Sequence, residues 1–337
     1  MLTLILRRLA QLPLILGVIY TLTLVLAWAI PGSPLDNPEG RRPPAEVQAA
    51  MERQYNLHSF WTFYWSYLDN ASGLRYARDA ASGRLERREQ EARAAGLPVP
   101  ERRVFDLGPS LQYEDWRVNE ILAASLPVSI TLGAGAMTLA LALGLAAGII
   151  GAARPNSPAD VLTLVIALAG ISLPSFVIGT LLLLVFGVWL GLVPIAQWGP
   201  AGAVLPVVTL SLPFAAYIAR LTRMGMLDVL GSDYIRTARA KGLSESRVLL
   251  RHALKNAFLP VLSYLGPATA TAMTGSFVVE QVFTVPGLGQ HFVNAVLNKD
   301  LFLILGVVLV FSTMLVLFNL AVDVLYRWVD PRIQTGP

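Results

Sequence analysis

VLTLVIALAGISLPSFVIGTLLLLVFGVWLGLVPIAQWGPAGAVLPVVTLSLPFAAYIA, residues 161–219, contains no Asp, Glu, Lys or Arg in 59 positions. A helix crossing the hydrocarbon core of a bilayer needs about 20 mostly apolar residues, so this run is long enough for two. Its middle, Gly191-Leu192-Val193-Pro194 and then Gly199-Pro200, carries the turn chemistry that divides it. Four more charge-free runs lie outside it. They hold 27 residues between Arg8 and Asp36, 33 between Glu120 and Arg154, 24 between Lys255 and Glu280, and 22 between Asp300 and Asp323. Each is long enough for one span. In lipid every backbone N–H and C=O must be satisfied internally, which makes helix the natural reading of such runs. The expected fold is an all-α integral membrane protein with six transmembrane helices.

Composition agrees. Charged residues make up 14% of the chain, against about 25% in soluble domains. The chain has no cysteine, which removes thiolate chemistry, iron–sulfur clusters and Cys-ligated zinc. Its three histidines, His58, His252 and His291, are scattered and form no ligand spacing with a carboxylate, so no metal site is expected. There is no G-x-x-x-x-G-K-[ST] loop, and Gly287-Leu288-Gly289 lacks the strand and third glycine of a nucleotide fingerprint. Glu280, Asp323 and Asp160 fall at the ends of the expected spans, leaving the spans themselves uncharged. A proton-coupled carrier or an intramembrane hydrolase needs ionisable or nucleophilic groups at depth. Ser172, Thr209 and Ser211 read as hydroxyls bonded to the backbone. No catalytic constellation and no nucleic-acid motif emerges.

Lys and Arg in short loops set orientation. With the N-terminus inside, the inner side carries Arg7, Arg8, Arg154, Arg327, Arg332 and eight basic residues from Arg220 to Lys255, while the short outer loops carry only Lys299. Both termini are therefore expected in the cytoplasm. The domain plan is a first transmembrane helix in 1–30, an external region in 31–118, and a five-helix core in 119–337 that includes a cytoplasmic loop at 231–260. A cleaved signal peptide is the alternative for the first run, given Arg7-Arg8 and Ala27-Trp28-Ala29. Its apolar stretch, 9–30, is longer than a usual signal core.

The external region opens with Pro31-Gly32-Ser33-Pro34 and contains Phe60-Trp61-Thr62-Phe63-Tyr64-Trp65-Ser66-Tyr67. Such aromatic density suits a helix at the membrane interface or a small packed core. Residues 75–104, rich in Arg, Glu and Ala, read as a solvated surface insertion. Span two, 121–151, contains Gly144-xxx-Gly148, a spacing that permits close helix packing. Spans three and four, 161–190 and 204–219, meet Pro174, Pro206 and Pro213, which kink or break helices.

The inner loop differs from its surroundings. Ser232 is a good N-cap residue, and a short helix follows through Lys241 with Asp233 at its start and Arg239 and Lys241 at its end. Gly242 sits where a left-handed C′ residue belongs. Ser244 restarts a second helix, on which Arg247, Arg251 and Lys255 form a basic stripe opposite mainly apolar positions. This helix–glycine–helix elbow reads either as a docking element for a cytoplasmic partner or as a basic helix lying on anionic membrane lipid.

The stretch YIRTARAKGLSESRVLLRHALKNAFLP, 234–260, resembles the cytoplasmic "EAA" loop of permease subunits in binding-protein-dependent ATP-binding-cassette importers, and specifically their peptide branch (oligopeptide, dipeptide and nickel). The general family has Glu six residues before the glycine and Pro thirteen after it. Arg236 and Lys255 stand there, a departure typical of the peptide branch. Phe105-Asp106-Leu107-Gly108-Pro109-Ser110, Asn119 to Ser129, Thr284-Val285-Pro286-Gly287-Leu288-Gly289-Gln290 and the tail 322–332 look like oligopeptide permease B subunits. The resemblance covers 1–74 and 105–337 but not 75–104.

The resemblance implies a type I ABC importer permease fold forming half of a translocation path in a prokaryotic inner membrane. It implies a second homologous permease, two cytoplasmic ATPase subunits and an external substrate-binding protein, with no cofactor on this chain and ATP and Mg on the ATPases. The elbow would be the coupling helix, with Arg236, Ala238, Arg239, Lys241, Gly242, Leu243, Arg251, His252 and Asn256 as its contact set. Peptide is the implied cargo; nickel chelates, sugars or other small solutes remain alternatives, and a self-sufficient secondary transporter is the reading outside the family. Because the chain lacks cysteine, single cysteines test the topology. Ser82→Cys should react with a membrane-impermeant maleimide on intact cells, and Ser246→Cys only after permeabilisation; the reverse pattern overturns the orientation.

Overall fold

The computed structural model describes residues 2–32, 34–35, 44–99, 101–113, 115–274 and 276–329. Ser33 of the Pro-rich opening and Asp330, Pro331 and Arg332 of the tail lie outside the described residues. Among the described residues no strand forms, and a single antiparallel bridge joins Pro109 and Arg117. The helices are α1 (Leu2–Ala29), α2 (Ala45–Gln54), α3 (Phe60–Ala71), α4 (Leu74–Ala81), α5 (Arg84–Ala94), α6 (Val118–Ala153), α7 (Pro158–Ser172) and α8 (Ser175–Leu182, continued by a π-helical segment, Leu183–Trp189). Then come α9 (Val204–Leu230), α10 (Asp233–Ala240), α11 (Glu245–Arg247, continued by a π segment, Val248–Ala253), α12 (Leu254–Ala257), α13 (Leu259–Thr274), α14 (Phe277–Phe283), α15 (Leu288–Leu297) and α16 (Leu301–Val329).

Among the described residues four helices are long and apolar enough to cross a membrane, within α1, α6, α9 and α16. A fifth candidate is α7 with α8, a pair bent by 105°. The expected third span, 161–190, is thus broken rather than continuous. Leu173, immediately before Pro174, takes an extended ψ of 129°, because a following proline disfavours helical geometry. The charge-free run 256–279 contains α13, of 16 residues, and the start of α14. The fourth span is longer than its charge boundary: α9 runs through Pro213, Arg220, Arg223 and Gly225 to Leu230, with Gly231 as its C-cap. The segment expected as the cytoplasmic loop therefore begins at Gly231.

The chain divides into two compact units. The first comprises Met1–Leu14, Ser125–Gln290 and Phe311–Pro337. Its core is built on close helix approach. A Cβ on Gly144 would lie 2.7 Å from Ile218, and one on Gly148 would lie 2.5 Å from the Cβ of Thr222, so the Gly-xxx-Gly spacing of α6 packs directly on α9. Gly133 meets Met273 of α13, and Gly266 meets Val322 of α16, in the same way. Arg8 of α1 pairs with Asp323 of α16 at 2.8 Å, so these two charges sit on the long helices themselves.

The second unit comprises Ile15–Ala124 and His291–Val310. Its centre is aromatic. Tyr20 and Trp28 of α1 stack on Phe60, Phe63, Tyr64 and Tyr67 of α3, and Phe302 closes the block. Tyr20 donates to the Tyr64 carbonyl at 2.8 Å. Phe63 and Tyr67 are fully buried, whereas Trp61 and Trp65 on the opposite face are 65% and 61% exposed. The packed-core reading accounts for one face of α3 and leaves the two tryptophans free. Residues 75–104 hold the end of α4 and all of α5.

Asp300 is the N-cap of α16 and is completely buried. It accepts from the Leu303 N–H at 3.1 Å, from the Leu111 and Gln112 N–H groups at 2.9 and 3.2 Å, and from the Ser110 hydroxyl. Burial pushes its carboxyl above the usual carboxylate range, and these donors act in the opposite direction.

Replacing Gly148 with Leu forces a side chain into Thr222 and the Ala219 carbonyl. The expected cost is about 1–3 kcal/mol, seen as a lower thermal midpoint in detergent. An unchanged midpoint would disprove close packing of α6 on α9.

Candidate coupling site

Every residue of the expected contact set falls on one continuous piece of the first unit, from the end of α9 through α10 to α12. α9 ends at Leu230, and Ser232 occupies the N-cap position of α10. The Ser232 hydroxyl does not cap: it donates to the Val229 carbonyl at 2.6 Å, which binds it to the preceding helix. Ser244 likewise precedes α11 without a side-chain cap bond. Both positions precede helix starts as read from sequence, and at Ser232 the hydroxyl is drawn off by an upstream carbonyl within reach.

Gly242 closes α10. Its φ is +76°, a conformation that costs an L side chain about 1–2 kcal/mol. The Gly242 N–H bonds to the Arg239 carbonyl at 2.9 Å, and the Leu243 N–H reaches back to the Ala238 carbonyl at 3.4 Å. This pair of bonds is the Schellman arrangement, and its usual apolar contact is present: Leu243 packs against the cluster that contains Ala238. The turn satisfies orphan carbonyls and fixes the angle at which the chain leaves α10.

Beneath the elbow lies an apolar cluster of Ala152, Met226, Ile235, Ala238, Val248, Ala253 and Ala257. It ties the elbow to the ends of α6 and α9. A Cβ on Gly225 would lie 2.7 Å from the Ala257 carbonyl, so α9 and α12 touch almost backbone to backbone. Ala238, counted among the contact residues, is buried in this cluster. Arg236, Arg239, Lys241, Gly242, Arg251 and Asn256 are exposed, and Leu243 and His252 are half-buried. The stripe Arg247, Arg251 and Lys255 also faces outward. The second helix of the elbow is not a uniform α-helix, however: its Val248–Ala253 turns are π-helical.

The elbow's charges are partly committed. Arg239 forms a two-pronged pair with Glu245, at 2.6 and 3.1 Å, across the Gly242 turn. The guanidinium holds the Glu245 carboxyl below its usual range, and the carboxylate raises Arg239 in turn. The pair's contribution is present above the ordinary Glu range and is lost as pH falls through the lowered value. Both side chains are about half exposed, so it is worth at most about 1 kcal/mol. Arg236 pairs with Asp233, and the Asn256 amide donates to the Tyr234 hydroxyl at 2.8 Å. Lys241, Arg247 and Arg251 have no ion-pair partner among the described residues.

Two buried carboxylates in the same unit escaped the sequence reading, which had placed them at span ends without a role. Asp160, in the first turn of α7, is 1% exposed. It takes Arg223 of α9 in a bidentate pair at 2.6 and 2.7 Å and accepts from the Asn156 N–H at 2.9 Å, while its own N–H bonds the Ser157 hydroxyl. The sequence signal was present in Ser157-Pro158-Ala159-Asp160, a helix start, but Arg223 had been assigned to a loop. Glu280, equally buried, accepts from Ser129 of α6 at 2.8 Å, from Ser276, and from the Gly289 and Gln290 N–H groups at 2.7 and 3.2 Å. A Cβ on Gly287 or Gly289 would collide with its carboxylate. The Thr284–Gln290 motif is thus a loop wrapped around one acid.

The model of the family described as "Binding-protein-dependent transport system inner membrane component" matches residues 144–335. The chain belongs to this family. The match contains the whole elbow as well as Asp160, Arg223 and Glu280. The chain is also 38% identical over 338 residues to the oligopeptide transport system permease protein OppB of Haemophilus influenzae, covering 99% of this chain and all of that one. It is 40% identical to OppB of Escherichia coli K12 with the same coverage. Against the dipeptide transport system permease protein DppB of Bacillus subtilis it is 37% identical over 318 residues, covering 94% of this chain and 93% of the relative. In this family member, α7 and α9 are held together by the Asp160–Arg223 ion pair.

Removing one partner of a buried pair strands the other. Asp160→Ala should cost about 3 kcal/mol or more, while Asp160→Ala combined with Arg223→Met should cost less than that single change. Thermal unfolding of the four proteins of the cycle in detergent checks this, and additive losses would refute the coupling.

Proposed function

We propose that this chain is a permease subunit of an ATP-driven, binding-protein-dependent importer of peptides, and that the 231–260 elbow couples it to cytoplasmic ATPase subunits. One observation carries the reading. The elbow is an exposed, basic, preformed helix–turn–helix anchored on the ends of α6 and α9, in a chain that aligns with OppB proteins along its whole length. A docked ATPase pushing on α10–α12 moves a body already packed onto long apolar helices. Backbone contact between Gly225 and Ala257 and the Schellman turn leave little slack in that transfer.

In this reading six segments cross the membrane, counting α7–α8 and α13–α14 as one each, with both termini in the cytoplasm of a prokaryotic cell and 31–118 outside. Residues 75–104 are an insertion in the external region. ATP and Mg belong to two ATP-binding-cassette subunits, a second homologous permease completes the path, and an external binding protein delivers peptide. Lys241, Arg247 and Arg251 supply unpaired positive charge for an acidic rim on the ATPase. Gly242 and Leu243 hold the elbow's shape, and Ala238 supports it from inside.

Purification from native membranes in mild detergent should bring down a second permease and P-loop ATPases with this chain. Recovery of the chain alone, under conditions that keep known membrane complexes intact, would overturn the importer reading. Gly242→Val should insert normally and fail to support ATP-dependent peptide uptake, because no side chain blocks the position and the loss comes from the left-handed turn alone. Wild-type uptake by that variant would refute the elbow's role.

A further inference from the structure

Packing accounts for one face of α3 and leaves the other bare. Trp61 and Trp65 stand one turn apart, 65% and 61% exposed, with exposed Thr62 between them. The helix carries no charge from Phe60 to Leu68; Asp69 and Asn70 end it, and the Arg-rich α4 and α5 follow. Two neighbouring indoles held out in a charge-free face mark a surface that meets something apolar.

The position of α3 says what that is. Trp28 of α1 meets Phe60 and Phe63 at 5.6 and 5.7 Å, and Tyr20 meets Tyr64 and Tyr67 at 5.0 and 5.7 Å. The order is reversed, so α3 runs back alongside α1 over about 12 Å of its length. The Thr21 and Tyr64 hydroxyls share a hydrogen bond of 2.9 Å across the seam, and the Tyr64 ring touches both Trp61 and Trp65, at 5.9 and 4.9 Å. The indoles are therefore joined to α1 through a single ring. Beside Thr21, α1 exposes Val18, Leu22, Val25 and Leu26, a stripe on one face of the helix. The bare face of α3 continues that stripe, within the second unit.

This part of α1 is the last third of an apolar segment, Ile5–Ala29, long enough to cross a bilayer. An exposed apolar stripe on a membrane-crossing helix meets acyl chains. At the end of the span it reaches the headgroup level, where indole is favoured because its body is apolar and its N–H can still find an acceptor. The apolar face of α3 stops at Asp69, where the charged chain of α4 and α5 begins.

We infer that α3 is seated in the outer headgroup region of the bilayer, with Trp61 and Trp65 in contact with lipid. The external region is then anchored to the membrane at its base through α3. The inference rests on the reading of α1 as a membrane span whose C-terminal end lies outside.

The test uses the absence of native cysteine. Thr62→Cys keeps both indoles and places a nitrobenzoxadiazole label between them. Leu22→Cys and Ser82→Cys carry the same label on α1 and on the α4–α5 turn. The full chain, with whatever partners co-purify, is reconstituted into phosphatidylcholine vesicles. Some vesicles contain phosphatidylcholine with a doxyl quencher near the headgroup, others one deep in the acyl chain, and iodide is the aqueous quencher. The Thr62 label should be quenched by the shallow doxyl lipid and shielded from iodide, and the Ser82 label should behave in the opposite way. Adding Trp61→Ala and Trp65→Ala together should lower doxyl quenching of the Thr62 label and raise its iodide quenching. Iodide quenching of the Thr62 label equal to that at Ser82 overturns the inference. So does a Thr62 label that neither quencher reaches, which marks a face covered by protein, and so does quenching unchanged by the double alanine variant. The Leu22 label separates the two readings: its quenching by doxyl lipid without that of Thr62 refutes the seating of α3 alone, and its failure to be quenched refutes the span. If the double variant does not fold, the comparison of the Thr62 and Ser82 labels still decides.

Discussion

A helix end buried away from water must find partners for its free backbone groups, and much of this structure is organised by how its helix ends are closed. Three carboxylates are almost wholly buried at helix starts. Asp160 lies in the first turn of α7, Glu280 accepts from the first N–H groups of α15, and Asp300 caps α16. At each the positive end of a helix meets a negative charge, and neighbouring backbone or hydroxyl groups fill the remaining lone pairs. At the other polarity, the carbonyls ending α10 are closed by the Gly242 turn. Each device also reaches a second element: Asp160 to α9, Glu280 to α6, Asp300 to the loop at Ser110–Gln112, and Gly242 through Leu243 to the elbow's core. Closing a helix end and joining two pieces of chain are the same act here.

This gives the elbow its mechanical character. An isolated basic helix on a lipid surface needs only an apolar face. Here much of the apolar face is consumed by Met226, Ile235, Val248 and Ala257, and the surface left outward is mainly polar and charged, with Leu250 and Tyr234 also exposed. Arg239 and Glu245 brace the turn from outside while Leu243 and Ala238 brace it from within. α10–α12 pack on α9, and Arg223 of α9 pairs with Asp160 of α7. Beyond α7 the chain bends sharply at Leu173-Pro174.

The membrane character, the number of apolar runs and the elbow's glycine were legible because each depends on a one-dimensional property. Charge-free length measures whether a segment can cross lipid, and a C′ glycine follows a short helix at fixed spacing. Gly144 and Gly148 were legible as a spacing, but their partner on α9 was not. Helix limits were less legible where charge was used as the boundary: Arg220 and Arg223 read as the start of a loop, yet α9 runs through both, because a charged side chain does not end a helix. The same error hid the Asp160–Arg223 pair, whose members lie 63 positions apart. Glu280 looked like the end of a span because its hydroxyl and backbone donors come from α6 and from nine residues downstream.

By itself the sequence determined that this chain carries long charge-free runs suited to a bilayer and that an amphipathic elbow interrupts its apolar helices. Those follow from transfer free energy and local backbone preference, which act residue by residue. Tertiary structure alone decided which charges are buried, which arginines of the elbow are already paired, and which face of the aromatic helix is packed. Those depend on which distant groups meet, and a carboxylate 63 or 151 positions from its partner carries no local mark of it.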